Sequence, residues 1–200
     1  MWFSFFTNFL IFSTAMVLCF FFNRSNISRY YIGFVAFTGL SALVAGFGHL
    51  TIFESSLGPK MLYGSRVLSF ISVYCFTYGT LRSFHYLQQK IYSVLQVSLF
   101  VGFVVLLTLH NVFTLVIVYS IFGLIVVGVT SHLLNLKTHR EASILVISGV
   151  SILAFAAVIF SIFRSEDTTA AADVGHVLVS VALVVLMAGF NKVKQNEFTK

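Results

Sequence analysis

The sequence predicts an all-α integral membrane protein. Residues 1–200 are expected to form one domain, a bundle of seven transmembrane helices with the N-terminus outside and the C-terminus in the cytoplasm. Hydrophobic residues make up 58% of the chain and charged residues only 9%, against about 25% charged residues in soluble domains. The apolar residues also gather into seven runs, each long enough to cross the roughly 30 Å hydrocarbon core of a bilayer as a helix.

Short polar or basic hinges separate the apolar runs and leave no room for an extramembrane domain. The first run has no basic segment before it and no small-residue cleavage site before Asn23, so it is predicted to be a retained span. The second carries Ala42 and Gly46 at a spacing that lets helices approach closely, and Pro59 precedes the third. The predicted spans are residues 3–22, 30–53, 62–82, 91–109, 112–133, 142–163 and 170–190.

The distribution of lysine and arginine predicts the orientation, because positive charge is retained on the cytoplasmic side of a membrane. One side holds nine of the twelve Lys and Arg residues, and the other holds only Lys60, Arg66 and Arg164. The side with nine is therefore predicted to be cytoplasmic, in a plasma or inner membrane. This asymmetry accounts for the net charge of +6. No basic cluster with interleaved aromatic residues points to nucleic acid.

Ionisable side chains within spans are costly and usually face the bundle interior, so they are the first functional candidates. The predicted topology brings six polar groups to the outer face at similar depth: His49, Glu54, Arg66, His110, Asp173 and His176. Asp173 and His176 are three residues apart and therefore share one face of a helix. A carboxylate near a helix start is equally suited to interact with the free N–H groups and the positive dipole end there.

The spacing of Asp173 and His176 is one that metal sites in helical bundles use. Together with His49 they would supply three protein ligands to Zn²⁺ and leave a fourth position for water, as in catalytic zinc sites. Such a metal activates its water for hydrolysis. The pattern predicts a metal-dependent hydrolase, in which Glu54 and Arg66 are the catalytic residues that orient the substrate.

Around the histidines of spans 2 and 7, the chain resembles the seven-span hydrolase superfamily of alkaline ceramidases and adiponectin-receptor-like proteins. The matching segments are Phe-Gly-His-Leu-Thr at 47–51 and Asp-Val-Gly-His-Val-Leu at 173–178. The resemblance implies a zinc ion that hydrolyses lipid amides. Ala45 stands where that family has a serine, Ser180 where it has a second histidine, and span 3 carries Arg66 and no aspartate.

Two other functions remain open at the sequence level. The chain could be a non-enzymatic bundle that binds membrane lipids or a small ligand, or that pairs with a partner membrane protein or a second copy. It could also hold haem between His49 and His176. The remaining histidines are predicted to lie at the surface: His110 as an interfacial anchor, and His85, His132 and His139 in or beside basic cytoplasmic hinges.

Overall fold

The computed structural model describes residues 2–23, 25, 27–50, 56–86, 90–163 and 169–193. This part of the chain folds into seven long helices and contains no strand, which confirms the predicted all-α class. The helices are α1 (Trp2–Phe22), α2 (Arg29–Gly48), α3 (Leu57–Ser83), α4 (Lys90–His110), α5 (Phe113–Leu134), α6 (Arg140–Phe163) and α7 (Thr169–Lys192).

The helix boundaries differ most from the predicted spans around α2 and α3. Helix α2 ends at Gly48, before the predicted end at residue 53, and α3 begins at Leu57, before the predicted start at residue 62. Pro59 therefore lies in the first turn of α3. Proline is tolerated there because its missing N–H would have no partner within the helix.

Six of the seven helices are long and apolar enough to cross a membrane. The exception is α3, which is 27 residues long but carries serine and threonine residues along its length. The described chain is therefore a multi-pass helical membrane protein. Its lipid-facing surface is apolar, as shown by Phe20 at 80% exposed and Leu109 at 70% exposed.

Six helices form a closed ring. In order around the ring they are α1, α2, α3, α5, α6 and α7, and α7 packs back against α1. Helix α1 packs against both α2 and α7, and α2 and α7 also meet directly inside the ring, where Phe190 of α7 stacks on Tyr31 of α2. Helix α4 packs on the outside of this ring, against α3 and α5, and it is the least buried of the six apolar helices.

Aromatic side chains fill the centre of the ring. Tyr31 and Phe190 stack with ring centroids 4.0 Å apart and planes 3° apart, and Phe34 and Phe76 pack around them. All four side chains are buried. Because lipid tails are as apolar as these residues, the close packing of the rings is what favours the assembled bundle.

Helix α5 contains a π-helical segment, Ile121–Val129, between the α-helical segments Phe113–Ser120 and Thr130–Leu134. Gly123 and Gly128 in this segment are buried against α3. A Cβ atom at Gly123 would overlap Val73, and one at Gly128 would overlap Phe76. The glycines thus let the wide turn of α5 sit directly on α3.

Candidate functional site

The site is built on the first turns of α7, where Asp173 and His176 face α1. Thr7 of α1 lies between them. Its hydroxyl oxygen is 3.1 Å from Asp173 Oδ1 and 2.8 Å from His176 Nδ1. Thr7 is 8% exposed and Asp173 is 7% exposed. A carboxylate, a hydroxyl and an imidazole thus form one hydrogen-bonded cluster at one end of the bundle.

The position of Thr7 follows from the close packing of α1 on α2. Gly46 of α2 has no side chain, and a Cβ atom there would lie 3.1 Å from Asn8 Cβ. The rings of Phe5 and Phe47 pack 5.1 Å apart beside it. Asn8 donates to Ser4 O at 2.7 Å and so satisfies its amide within α1. These contacts turn Thr7 toward α7.

The single proton of the Thr7 hydroxyl determines the roles in the cluster. Among the partners that the described part of the chain offers are three acceptors: Ser4 O at 3.2 Å, Asp173 Oδ1 and His176 Nδ1. The ionised carboxylate is the strongest acceptor. The imidazole is also the only one of the three that can donate instead. Thr7 therefore donates to Asp173, and His176 Nδ1–H donates to Thr7.

This arrangement leaves two acceptor atoms at the site. In the neutral imidazole, a proton on Nδ1 leaves a lone pair on Nε2 of His176. Within the described ranges, no residue forms a hydrogen bond to that Nε2 or to Asp173 Oδ2. Ser180, on the same face of α7, donates to His176 O at 3.2 Å and does not compete for the ring.

His49 lies at the C-terminus of α2, where its backbone N–H caps the helix. Its side chain is exposed. The end of α2 that carries His49 packs on the start of α1, where Phe47 contacts Phe5 and Gly46 contacts Asn8. Asp173, His176 and His49 therefore occupy the same end of the bundle, with α1 packed against both α2 and α7.

Arg66, one of the two residues predicted to orient a substrate, bonds elsewhere. Its Nη1 donates to the backbone oxygen of Asn111 at 2.5 Å and to Asn111 Oδ1 at 2.6 Å. Asn111 connects α4 and α5, and neither of these helices packs closely against α1 or α7. Glu54 lies outside the described residues.

The donor atoms fit a metal only in part. Within the residues that the structure describes, no group of three or more His, Cys, Asp or Glu side chains is arranged to hold a metal ion. Asp173 is engaged through Thr7, and His49 stands at the exposed rim. The described side chains offer at most His176 Nε2 and a more distant His49 as imidazole ligands, fewer than the three protein ligands of catalytic zinc sites.

A second polar cluster, at the opposite end of the bundle, was missed by the sequence reasoning. His132 of α5 is completely buried, so its predicted surface position is wrong. Its Nδ1 lies 3.2 Å from Ser143 Oγ of α6, and its ring packs edge-on against Phe84 at 4.9 Å. Its Nε2 has no partner among the described residues. The nearby hinge charges suggested the surface, but the tight α5–α6 turn folds this residue inward.

The fold and these two polar clusters define a polytopic helical membrane protein. The chain belongs to a family of proteins of unknown function, DUF6962, whose model matches residues 3–195. No curated protein and no solved structure matches the chain.

Proposed function

We propose that the protein binds the ammonium-bearing headgroup of a membrane lipid at the Asp173–Thr7–His176 cluster. The observation that carries this proposal is the placement of the Thr7 hydroxyl within hydrogen-bond distance of both Asp173 Oδ1 and His176 Nδ1. Because Thr7 donates to Asp173 and accepts from His176, the two remaining atoms, Asp173 Oδ2 and His176 Nε2, are both acceptors. A primary ammonium has three N–H donors and a charge that complements the carboxylate.

In this proposal all seven helices cross the bilayer, and the cluster opens on the outer face of a plasma or inner membrane. The excess of Lys and Arg on the opposite side supports that orientation. Helix α3 is polar, but its hydroxyls bond to α2: Ser41 Oγ lies 3.0 Å from Ser65 Oγ and 2.8 Å from Ser69 Oγ. A helix whose polar groups are satisfied by a neighbour is tolerated within a bilayer.

The test compares two lipids that differ in their headgroup donors. The purified protein is placed in nanodiscs with equal amounts of phosphatidylethanolamine and phosphatidylcholine, which share phosphate and chains. Lipids retained by the protein are then counted by native mass spectrometry. We expect roughly tenfold enrichment of phosphatidylethanolamine, because a hydrogen bond to a charged group contributes about 1.5–3 kcal/mol.

Asp173→Asn keeps the shape of the side chain and removes its charge, so the enrichment is expected to fall to near unity. Val177→Ala is the matched control, because Val177 lies next to His176 on α7 but points outward, 45% exposed. Equal retention of both lipids by the wild-type protein would contradict the proposal, as would an enrichment that persists in Asp173→Asn.

A second candidate function is metal-dependent hydrolysis of a lipid amide or ester. The placement of His49 and His176 at the same end of the bundle favours it. The hydrogen bond from His176 Nδ1–H to Thr7 also favours it, since metal-bound histidines normally donate their other N–H to a partner that fixes the tautomer. His176 and His49 would hold the zinc ion, which would supply an activated water. Asp173 would be connected to His176 through the Thr7 hydroxyl.

Metal content separates the two candidates. The purified protein is analysed for zinc and for a haem absorption band, alongside His49→Ala and His176→Ala. Stoichiometric zinc that is lost in both variants would support the hydrolase. Headgroup enrichment in a metal-free sample would support binding alone.

A further inference from the structure

A cavity of about 240 Å³ lies between α3, α4 and α5, at the end of the bundle opposite Asp173. It exists because α4 packs loosely on the outside of the ring. Its wall is mainly apolar, and Leu95, Val126 and Leu134 of that wall are also exposed on the outer surface of the bundle. The cavity is therefore a lateral groove that opens toward the lipid.

Two polar side chains of the groove wall are almost completely buried, Gln96 and Ser131, the latter 6% exposed. Gln96 of α4 is 4% exposed, and its Nε2 donates to Thr77 Oγ1 of α3. The Thr77 hydroxyl donates its own proton to backbone oxygens of α3. Its Oγ1 lies 3.1 Å from Val73 O and 3.0 Å from Tyr74 O. The Thr77 oxygen can therefore only accept from Gln96.

This fixes which end of the Gln96 amide faces the groove. With the NH₂ group turned to Thr77, which is not part of the groove wall, the carbonyl Oε1 is directed into the groove. No described residue donates a hydrogen bond to it. Lys90 begins α4, so Gln96 lies about 9 Å along the helix from that end. Bulk water is absent at such a depth in a bilayer, and an acceptor without a donor is costly there.

We propose that this groove binds one acyl chain of a membrane lipid that carries a hydroxyl group, with the hydroxyl donating to Gln96 Oε1. The volume of about 240 Å³ lies below the roughly 300–1,000 Å³ of pockets that enclose whole drug-sized ligands, so the groove holds part of one chain and not a whole lipid. The open side supports entry from the bilayer. This site is separate from the proposed headgroup site, which lies on α1 and α7 at the other end.

The test uses a photoactivatable long-chain alcohol with a diazirine on its chain, and the matching methyl ether, which lacks the hydroxyl donor. Each is added to the wild-type protein in phosphatidylcholine nanodiscs, and the labelled peptides are identified by mass spectrometry. We expect labelling of α4 and α5 at the groove, with the alcohol labelling three- to tenfold more than the ether. Excess unlabelled alcohol should compete.

Two variants and one control complete the design. Leu95→Trp fills the groove and should remove most of the labelling. Gln96→Leu should lower alcohol labelling to the level of the ether and leave ether labelling unchanged. Val101→Trp is the control: Val101 is 52% exposed on the same helix but is not part of the groove wall. Melting temperatures of all variants show that they are folded.

Three results would overturn the proposal. The first is equal labelling of wild type, Leu95→Trp and Val101→Trp, which indicates contact with the bulk bilayer only. The second is an alcohol-to-ether ratio that Gln96→Leu does not change. The third is a wild-type dimer that Leu95→Trp converts to a monomer without altering the labelling, which would assign the groove to a second copy of the chain.

Discussion

A single hydroxyl links the two ionisable residues of α7 to the first helix of the chain. Thr7 accepts from His176 and donates to Asp173, so its one proton determines which atoms remain for a ligand. Asp173 and His176 lie 166 and 169 positions away from Thr7 in the sequence. The chemistry of this end of the bundle therefore depends on the packing of α1 against α7.

The buried His132 gives a prediction at the same scale. Ser143→Ala removes the partner of His132 Nδ1, and the ring already has no described partner for Nε2. We expect a loss of about 1 kcal/mol in stability, because an unsatisfied polar group in an apolar interior keeps its desolvation cost. The measurement is the melting temperature of the purified protein in detergent.

The matched control is Ser151→Ala on the same helix. Ser151 is exposed and bonds only to its own backbone, at 2.9 Å from Ile147 O, so its removal should change the melting temperature little. The double variant His132→Leu/Ser143→Ala removes both partners and is expected to recover much of the loss. A Ser143→Ala variant as stable as the wild type would contradict this account of His132.

Part of the candidate site could be predicted from the sequence. The three-residue spacing places Asp173 and His176 on one helix face whatever the tertiary fold, and the structure has them together. Thr7 carries no such signal, because one hydroxyl in an apolar run looks like any other. His132 was misjudged because its position relative to the basic hinge depends on how sharply α5 and α6 turn.

At the scale of helices, small residues and hydroxyls hold the bundle together. Helices α2 and α3 meet through hydroxyl pairs, including Thr38 and Ser72 with their oxygens 2.6 Å apart. Helices α6 and α7 meet through glycine. A Cβ atom on Gly149 of α6 would lie 2.5 Å from Leu186 Cγ of α7.

Gly149→Ala is therefore expected to destabilise the protein by about 1–3 kcal/mol, because the added methyl group forces a closely packed neighbour to move. Gly102→Ala is the control. A Cβ atom at Gly102 meets nothing within 4 Å, and alanine is the better helix former by about 1 kcal/mol, so this change should be neutral or stabilising. Melting temperatures in one detergent compare the two variants, and equal shifts would contradict the packing described here.

At the scale of the whole molecule, the two ends of the bundle differ. One end carries the Asp173–Thr7–His176 cluster. The other carries the buried His132, the lateral groove and an exposed ion pair between Lys192 and Glu141 at 2.5 Å. An exposed pair of this kind contributes little to stability, but it shows that the end of α7 and the start of α6 lie side by side.

The predicted orientation can be measured with one cysteine at each end. Lys60→Cys and Lys137→Cys both replace exposed residues. A membrane-impermeant maleimide added to intact cells should label Lys60→Cys, and it should label Lys137→Cys only after permeabilisation. The parent protein, whose Cys19 and Cys75 are partly buried in helices, serves as the unlabelled control. The reverse pattern would invert the topology and move the headgroup site to the cytoplasmic face.

The sequence by itself determined the class of the protein, the number of long helices and the position of Asp173 and His176 on one face of the same helix. These follow from run length and helical periodicity, which are local properties of the chain. Only the tertiary structure decided that α1 packs against both α2 and α7, that Thr7 joins the cluster, that His132 is buried and that α4 lies outside the ring. Because most helices of this bundle are apolar, hydrophobic pattern does not show which helices are neighbours. Steric fit and hydrogen bonds between distant residues do.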